Sequence, residues 1–461
     1  MRIGIRTTCP SVLACLFWLA LTTASPAGDW KAGTARAKIT PQHPMPLSGF
    51  AFRGSKHSEG TLTELWAKAL VLEDAEGHRG ALVTLDLLGV DRGLSQAICH
   101  EIQEQQKWDR SQIAICPSHT HTGPVVKTRL SPTQELRFGT ENQRLIGDYV
   151  EQLKPVIVGI VAEATSRLKP AELSYGGGQS TVAVNRRENK PKEVPALRSE
   201  GRLKGPSDYD VPVLVVRQEG KPAAIVFGYA CHNTVLSSLE WSGDYAGFAQ
   251  LNLERANPGC QAMYWAGCGG DQDPLPRGTV EQARDYGDQV AKAVQEVVDN
   301  SLTPIDARLS TRYQEIDLPL GELPTREKLE RDTKSNDKYI AARAELLLRQ
   351  LDNGQPLRTS YPYPVGVWKF GNAVTFVLLG GEPVVDYALR LKTDSQLAAG
   401  GTRIWCAGYA NDVMAYIPSK RVLLEGGYEG AEAMVHYGFP AAWAPEVEEI
   451  ITKAVQDLSA Q

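Results

Sequence analysis

Six short apolar runs constrain this chain most: Ala81–Leu85, Ile113–Cys116, Val211–Val216, Ala224–Tyr229, Val374–Leu379 and Ile404–Gly408. Each is of strand length and predominantly apolar, the pattern of a strand buried on both faces. Helical patterns lie between them, an alternation that predicts a mixed α/β fold. One helix is expected from Thr279, where Thr279 and Gln282 form a capping-box pattern and Ala283, Val290, Val294 and Val297 mark one face. Thr325 to Leu351 is charge-rich and helical, expected at the surface. A last helix is expected from Pro445 to Leu458, with the proline in its first turn. Positions 178–210 are polar and rich in Arg, Lys and Pro, which predicts a long loop, and such loops are often functional. The 461 residues would allow about three domains of roughly 150 residues. No repeat or convincing boundary divides them, so one large domain is expected over 28–461.

The N-terminus differs in kind. Arg2 and Arg6 precede the apolar stretch Val12 to Leu21, and small residues follow at Thr22, Thr23, Ala24, Ser25 and Ala27. This is the pattern of a cleaved secretory signal over residues 1–27, with cleavage after Ala24 or Ala27. The stretch is short of the ~20 residues a membrane span needs. The mature protein is therefore expected to be secreted or periplasmic. Loss of Arg2 and Arg6 would take the formal charge from −5 to −7. With 22% charged residues and no basic tract, nucleic acid is not an expected partner. Six cysteines would remain: Cys99, Cys116, Cys231, Cys260, Cys268 and Cys406. Cys260 and Cys268 could pair in an exported protein. Cys116, Cys231 and Cys406 sit in apolar runs and read as buried thiols. There is no CxxC motif for a thiolate zinc site.

The chemistry sits at the ends of the apolar runs. His119 and His121 follow Ile113–Cys116, and a period of two puts both rings on one face of an extended segment. Such a pair is either a metal site or two hydrogen-bonded structural histidines. His232 follows Ala224–Ala230. Glu382 follows Val374–Leu379 and a Gly pair. Tyr416 comes shortly after Ile404–Gly408. Groups of zinc-binding type thus close several core strands far apart in sequence, and rigid elements hold ligands better than loops do. Asp86 also ends a strand and could support a histidine. Asp244 lies in a Gly-flanked loop and reads as structural or catalytic.

The ordered residues resemble the catalytic domain of neutral/alkaline (non-lysosomal) ceramidases from about Gly33 to Gly430. The markers are Ala32 to Pro41, Gly49-Phe50, Ser118 to Pro124, Asn185-Arg186, His232-Asn233-Thr234, Ser242 to Gly247, Gly381-Glu382-Pro383, Asn411 with Tyr416, and Tyr428-Glu429-Gly430. The resemblance implies one zinc ion held by His119, His232, Glu382 and Tyr416. It implies that His121 contacts the substrate or the attacking water, that Arg186 lies near the scissile group, and that Tyr428 bonds the developing oxyanion. Zinc-bound hydroxide would then cleave the N-acyl amide of ceramide or a related N-acyl lipid, with peripheral membrane contact open. Two departures stand out. The family's Gly-Asp-x-Ser-Pro motif reads Gly270-Asp271-Gln272-Asp273-Pro274 here. Asp273, in place of the serine, could act as a base, bind a substrate cation or join a second metal site. The sequence also ends soon after the catalytic motifs, where classical members continue into a C-terminal domain. Three readings follow: a zinc amidase acting on ceramide or a related lipid, a zinc hydrolase of another amide or an ester, and an exported non-catalytic binding protein. Oligomeric state is not legible.

Overall fold

Each of the six apolar runs is a strand in the computed structural model, which describes residues 30–461 except 129–130, together with Met1 and Gly4. The expected signal sequence otherwise lies outside the described residues. The strands run Arg79–Leu85, Ile113–Pro117, Asp210–Gln218, Lys221–Tyr229, Val374–Leu379 and Arg403–Ala407. They are distributed over two sheets. The larger has the order Gln261–Ala266, Lys221–Tyr229, Asp210–Gln218, Lys169–Gln179, Trp30–Lys38, Trp66–Glu73, Arg79–Leu85, Ile113–Pro117, with Thr303–Pro304 paired beside Lys169–Gln179. The smaller has the order Leu309–Pro319, Ser360–Phe370, Val374–Leu379, Arg403–Ala407.

The two sheets share a core, and the period-two alternation shows how. In Trp66–Glu73, Leu70 and Leu72 enter a cluster with Trp368, Phe376 and Trp405 of the smaller sheet. Ala67, Ala69 and Val71 enter a separate cluster under helices Arg92–Gln106 and Thr140–Ser166. Helices Asp244–Ala256 and Val280–Asn300 cover the far half of that outer face. Val385–Lys392 and Val447–Ala460 cover the outer face of the smaller sheet. The result is four layers: helices, sheet, sheet, helices. Close approach between the layers constrains single residues. A Cβ on Gly228 would collide with the Trp265 indole, which packs across the sheet interface against Phe376 with ring centroids 5.0 Å apart.

Several boundaries differ from expectation. The stretch 178–210 is no simple loop. It contains the strand Ala183–Asn185, which pairs with Gln272–Pro274, and the helix Val194–Ser199. The charge-rich stretch from Thr325 is two helices, Arg326–Asp332 and Lys338–Asp352, each with its own side-chain cap. The second is not only a surface element, because Leu346, Leu347 and Gln350 line the main cavity. The last helix starts at Val447, after Pro445. Cys260 and Cys268 are not paired: all six described cysteines are buried free thiols. No helix among the described residues is long and apolar enough to cross a membrane.

The topology brings strand ends together. Ile113–Pro117 runs parallel to Arg79–Leu85, Gln261–Ala266 parallel to Lys221–Tyr229, and Val374–Leu379 parallel to Arg403–Ala407. Isolated bridges tie the segments that follow these strands: Thr120 to Asn233, and Gly267 to Ala407. His119, His121, His232, Glu382 and Tyr416, singled out at strand ends, therefore meet in one place.

Candidate active site

His119 reaches the site by a turn and not by strand alternation. Its φ is +61°, in the left-handed region, so the extended geometry expected from the period of two does not hold there. The conformation is costly for a histidine and is held by its surroundings. Asn233 donates to Ser118 O, Thr120 and Thr122 both donate to Ser242 O, and the Tyr409 ring lies 4.2 Å from the His119 ring. His119 Nδ1 donates to Leu88 O and His232 Nδ1 to Gly269 O, each at 2.7 Å. A carbonyl only accepts, so in both rings a proton sits on Nδ1, which leaves Nε2 as the lone-pair nitrogen of the neutral imidazole. His121 Nε2 lies 3.2 Å from His119 Nε2, and the ring packs on Phe50. Gly49, at φ +89°, passes so close to His121 that a Cβ there would collide with the ring.

Glu382 and Tyr416 arrive as register partners. Glu382–Pro383 and Tyr416–Ile417 form a two-residue parallel ladder with Glu382 opposite Tyr416. The Glu382 carboxylate is divided between two jobs. Oε1 accepts from the Tyr437 hydroxyl at 2.5 Å, and Oε2 lies 3.3 Å from both His119 Nε2 and His232 Nε2. Tyr437 was not foreseen, because it stands on a short helix, Met434–Tyr437, outside any motif. The Tyr416 hydroxyl lies 3.3 Å from His232 Nε2 and accepts from Arg186 Nη2 at 3.2 Å. Tyr428 is 45% exposed, and its ring is 5.3 Å from that of Tyr416. Burial, then the Glu382 charge, push its hydroxyl up to about 12, so it remains a donor at neutral pH.

Of the two adjacent arginines, Arg186 faces the site. Its Nε donates to Glu429 Oε1 at 2.8 Å and its Nη1 to Asp273 Oδ1 at 3.2 Å. Arg187 turns away to Glu429 Oε2, Glu425 and Gly426 O. Asp273 does not face the cavity as expected. Oδ1 is taken by Arg186 and Thr234, and Oδ2 by Arg277 at 2.8 Å. Burial opposes its ionisation, but Arg186 and Arg277 hold the carboxyl below the ordinary range. Neither oxygen is open to abstract a proton or bind a cation. Asp86 accepts from Trp66 N and Gln250 Nε2, and Leu88 O takes the supporting role beside His119. Asp244 accepts from the backbone of Val235, Leu236 and Tyr245, which fixes the turn after His232.

These groups lie at a cavity of about 870 Å³ lined by His121, Glu382, Tyr416, Arg186 and Tyr428. The donor set fits a cation. His119, His121 and His232 each offer a ring nitrogen within 4.8 Å of the others. Burial and the Arg186 charge lower the His232 pKa, and burial with the two other imidazoles lowers that of His121 well below 6.5. Glu382 Oε2 is buried without a hydrogen-bond donor. Two imidazole nitrogens and a carboxylate oxygen converging in a buried site are compatible with a positive ion between them. The nitrogen and oxygen types suit zinc.

The fold is similar to that of solved ceramidases. The neutral ceramidase from Pseudomonas aeruginosa matches with a TM-score of 0.73 at 17% identity, over 94% of this chain and 74% of that one. A ceramidase complexed with C2 matches with a TM-score of 0.72 at 17% identity, over 94% of this chain and 75% of that one. No curated protein matches the sequence. Residues 30–267, more than half of the chain, match the family model for neutral/alkaline non-lysosomal ceramidase, N-terminal. The class so defined is the hydrolases of linear amide C–N bonds. The chain belongs to the neutral/alkaline non-lysosomal ceramidase family.

Proposed function

We propose that the chain is a zinc-dependent amidohydrolase, exported from the cytoplasm, that cleaves the N-acyl amide of ceramide or a related N-acyl lipid. The observation that carries this reading is the convergence of His119 Nε2 and His232 Nε2 on Glu382 Oε2, a buried oxygen with no hydrogen-bond donor. His119, His232 and Glu382 would hold the ion, with Tyr416 beside them. When bound, a zinc ion supplies Lewis acidity toward water and the amide carbonyl.

The chain's own groups do the rest. His121 is neutral and borders the cavity, so it can take the proton of the attacking water and return it to the leaving nitrogen. Water adds across the C–N bond and releases a carboxylic acid and an amine. The Tyr428 hydroxyl remains protonated and can donate to the oxygen on which negative charge develops. Arg186 is anchored on both sides by Asp273 and Glu429 and donates to the Tyr416 hydroxyl, which fixes that oxygen.

Purified mature protein should hydrolyse N-acylsphingosines, and chelation should abolish the activity. Failure on every acyl length from two to eighteen carbons would exclude ceramide as substrate. The N-terminus of the protein recovered outside the cytoplasm should lie at residue 25 or 28. A second reading, hydrolysis of another amide or an ester, is favoured by the arginine-clamped Asp273 in place of the family serine.

A further inference from the structure

The Asp273 clamp leaves one of its two arginines with donors to spare. Arg186 uses Nε, Nη1 and Nη2 on Glu429, Asp273 and Tyr416. Arg277 is anchored through Nη1 alone, to Asp273 Oδ2 at 2.8 Å and to Thr234 Oγ1 at 2.7 Å. Its Nε and Nη2 meet no acceptor among the described residues, its side chain is one-third exposed, and it lines the cavity. Thr234 is two residues from His232, and Arg277 lines the same cavity as His121. A planar fork fixed at one nitrogen and open at two others is the arrangement that recognises an oxyanion in bidentate fashion.

Basic side chains outnumber carboxylates along the cavity wall. Lys127, Arg137 and Arg358 also line it. Lys127 donates to Val413 O, Arg137 to Gly54 O and Leu47 O, and Arg358 lies over the rings of Tyr361 and Phe439. None of the three has a carboxylate partner among the described residues. Of the lining carboxylates, Glu382 is turned to the histidines and Tyr437, Asp412 accepts from Tyr361, and Asp91 caps a helix. Glu135 is the fourth.

We propose that Arg277 is an anion-binding residue and that the substrate carries a carboxylate near the scissile amide, as an N-acyl amino acid does. Asp273, by orienting Arg277, sets the site for an anion where a bare carboxylate would have favoured a cation. This rests on the amidohydrolase reading, in which the acyl half is hydrocarbon and any charge lies on the amine half.

The test compares N-lauroylglycine with N-lauroylethanolamine, which share an acyl chain and differ in a carboxylate against a hydroxymethyl group. The wild-type ratio of kcat/KM, acid over alcohol, should be at least ten. Arg277→Gln should bring it towards one, and Arg277→Lys, which keeps the charge, should restore part of it. A wild-type ratio near one overturns the proposal whatever the variants do, as does a ratio that survives Arg277→Gln in a folded protein. If neither amide is cleaved, the amidohydrolase reading is decided separately, by its own test on N-acylsphingosines. Calorimetric titration of the wild type with both uncleaved compounds then decides on Arg277: tenfold tighter binding of N-lauroylglycine supports the proposal, and equal binding overturns it.

Discussion

Tyr437→Phe isolates what supports the candidate metal ligand Glu382. The Tyr437 hydroxyl donates to Glu382 Oε1 at 2.5 Å, and Glu382 itself is buried. Phenylalanine keeps the ring, whose centroid is 6.5 Å from that of Tyr416, and removes only the donor. A hydrogen bond to a charged group contributes about 1.5–3 kcal/mol. At about 1.4 kcal/mol per decade this corresponds to roughly 10–100-fold in zinc affinity. The range agrees with what loss of a ligand's supporting partner typically costs. The loss should appear in competition with a chromophoric chelator of known affinity. Hydrolysis should be recovered by adding excess zinc, because the ligands themselves remain. Zinc affinity within twofold of wild type, in a variant with an unchanged melting temperature, would refute the argument that this hydroxyl holds Glu382 in place.

Two further perturbations test other parts of the site. Gly49→Ala puts a Cβ into the His121 ring at a left-handed backbone position. Displacement of His121 by about 1 Å should lower kcat/KM about 100-fold, and a normal value would show that His121 is not needed where it stands. Asp412 has a carboxyl raised to about 6, by burial foremost. The folded-state pKa lies above the unfolded one, so its contribution to stability is full only below the ordinary carboxylate range and is lost as pH rises through 6. The stability difference between wild type and Asp412→Asn, from urea unfolding, should therefore shift against the wild type by about 2 kcal/mol between pH 4 and pH 7. A pH-independent difference would contradict the assignment.

Much of the site was legible because its ligands stand at the ends of uninterrupted apolar runs, as His119, His232 and Glu382 do. The strands with charged residues in them were harder to read. Trp66–Glu73 carries Lys68, which is buried because Gln250, Glu254 and Ala262 O receive its ammonium. Leu309–Pro319 carries Arg312, Glu315 and Asp317 on a partly solvated sheet. Contacts between distant loops were not legible at all. Asp273 was recognisable as a substitution in a motif, but its sense depends on Arg186 and Arg277, which only the fold brings to its two oxygens. Tyr437 lies 55 residues from Glu382 with no motif around it. The two histidines of the His-Thr-His run do meet, through a left-handed His119 that no periodicity anticipates.

In the proposed reading His119, His232 and Glu382, which converge in a buried site, hold a catalytic zinc ion. Metal analysis of the purified mature protein, coupled to hydrolysis of an N-acyl amide before and after chelation, tests it most directly. The account predicts one zinc per chain, loss of both zinc and hydrolysis in His119→Ala, and recovery of chelated wild type on adding zinc. Full hydrolysis by protein holding less than about a tenth of an equivalent of any divalent metal would contradict it.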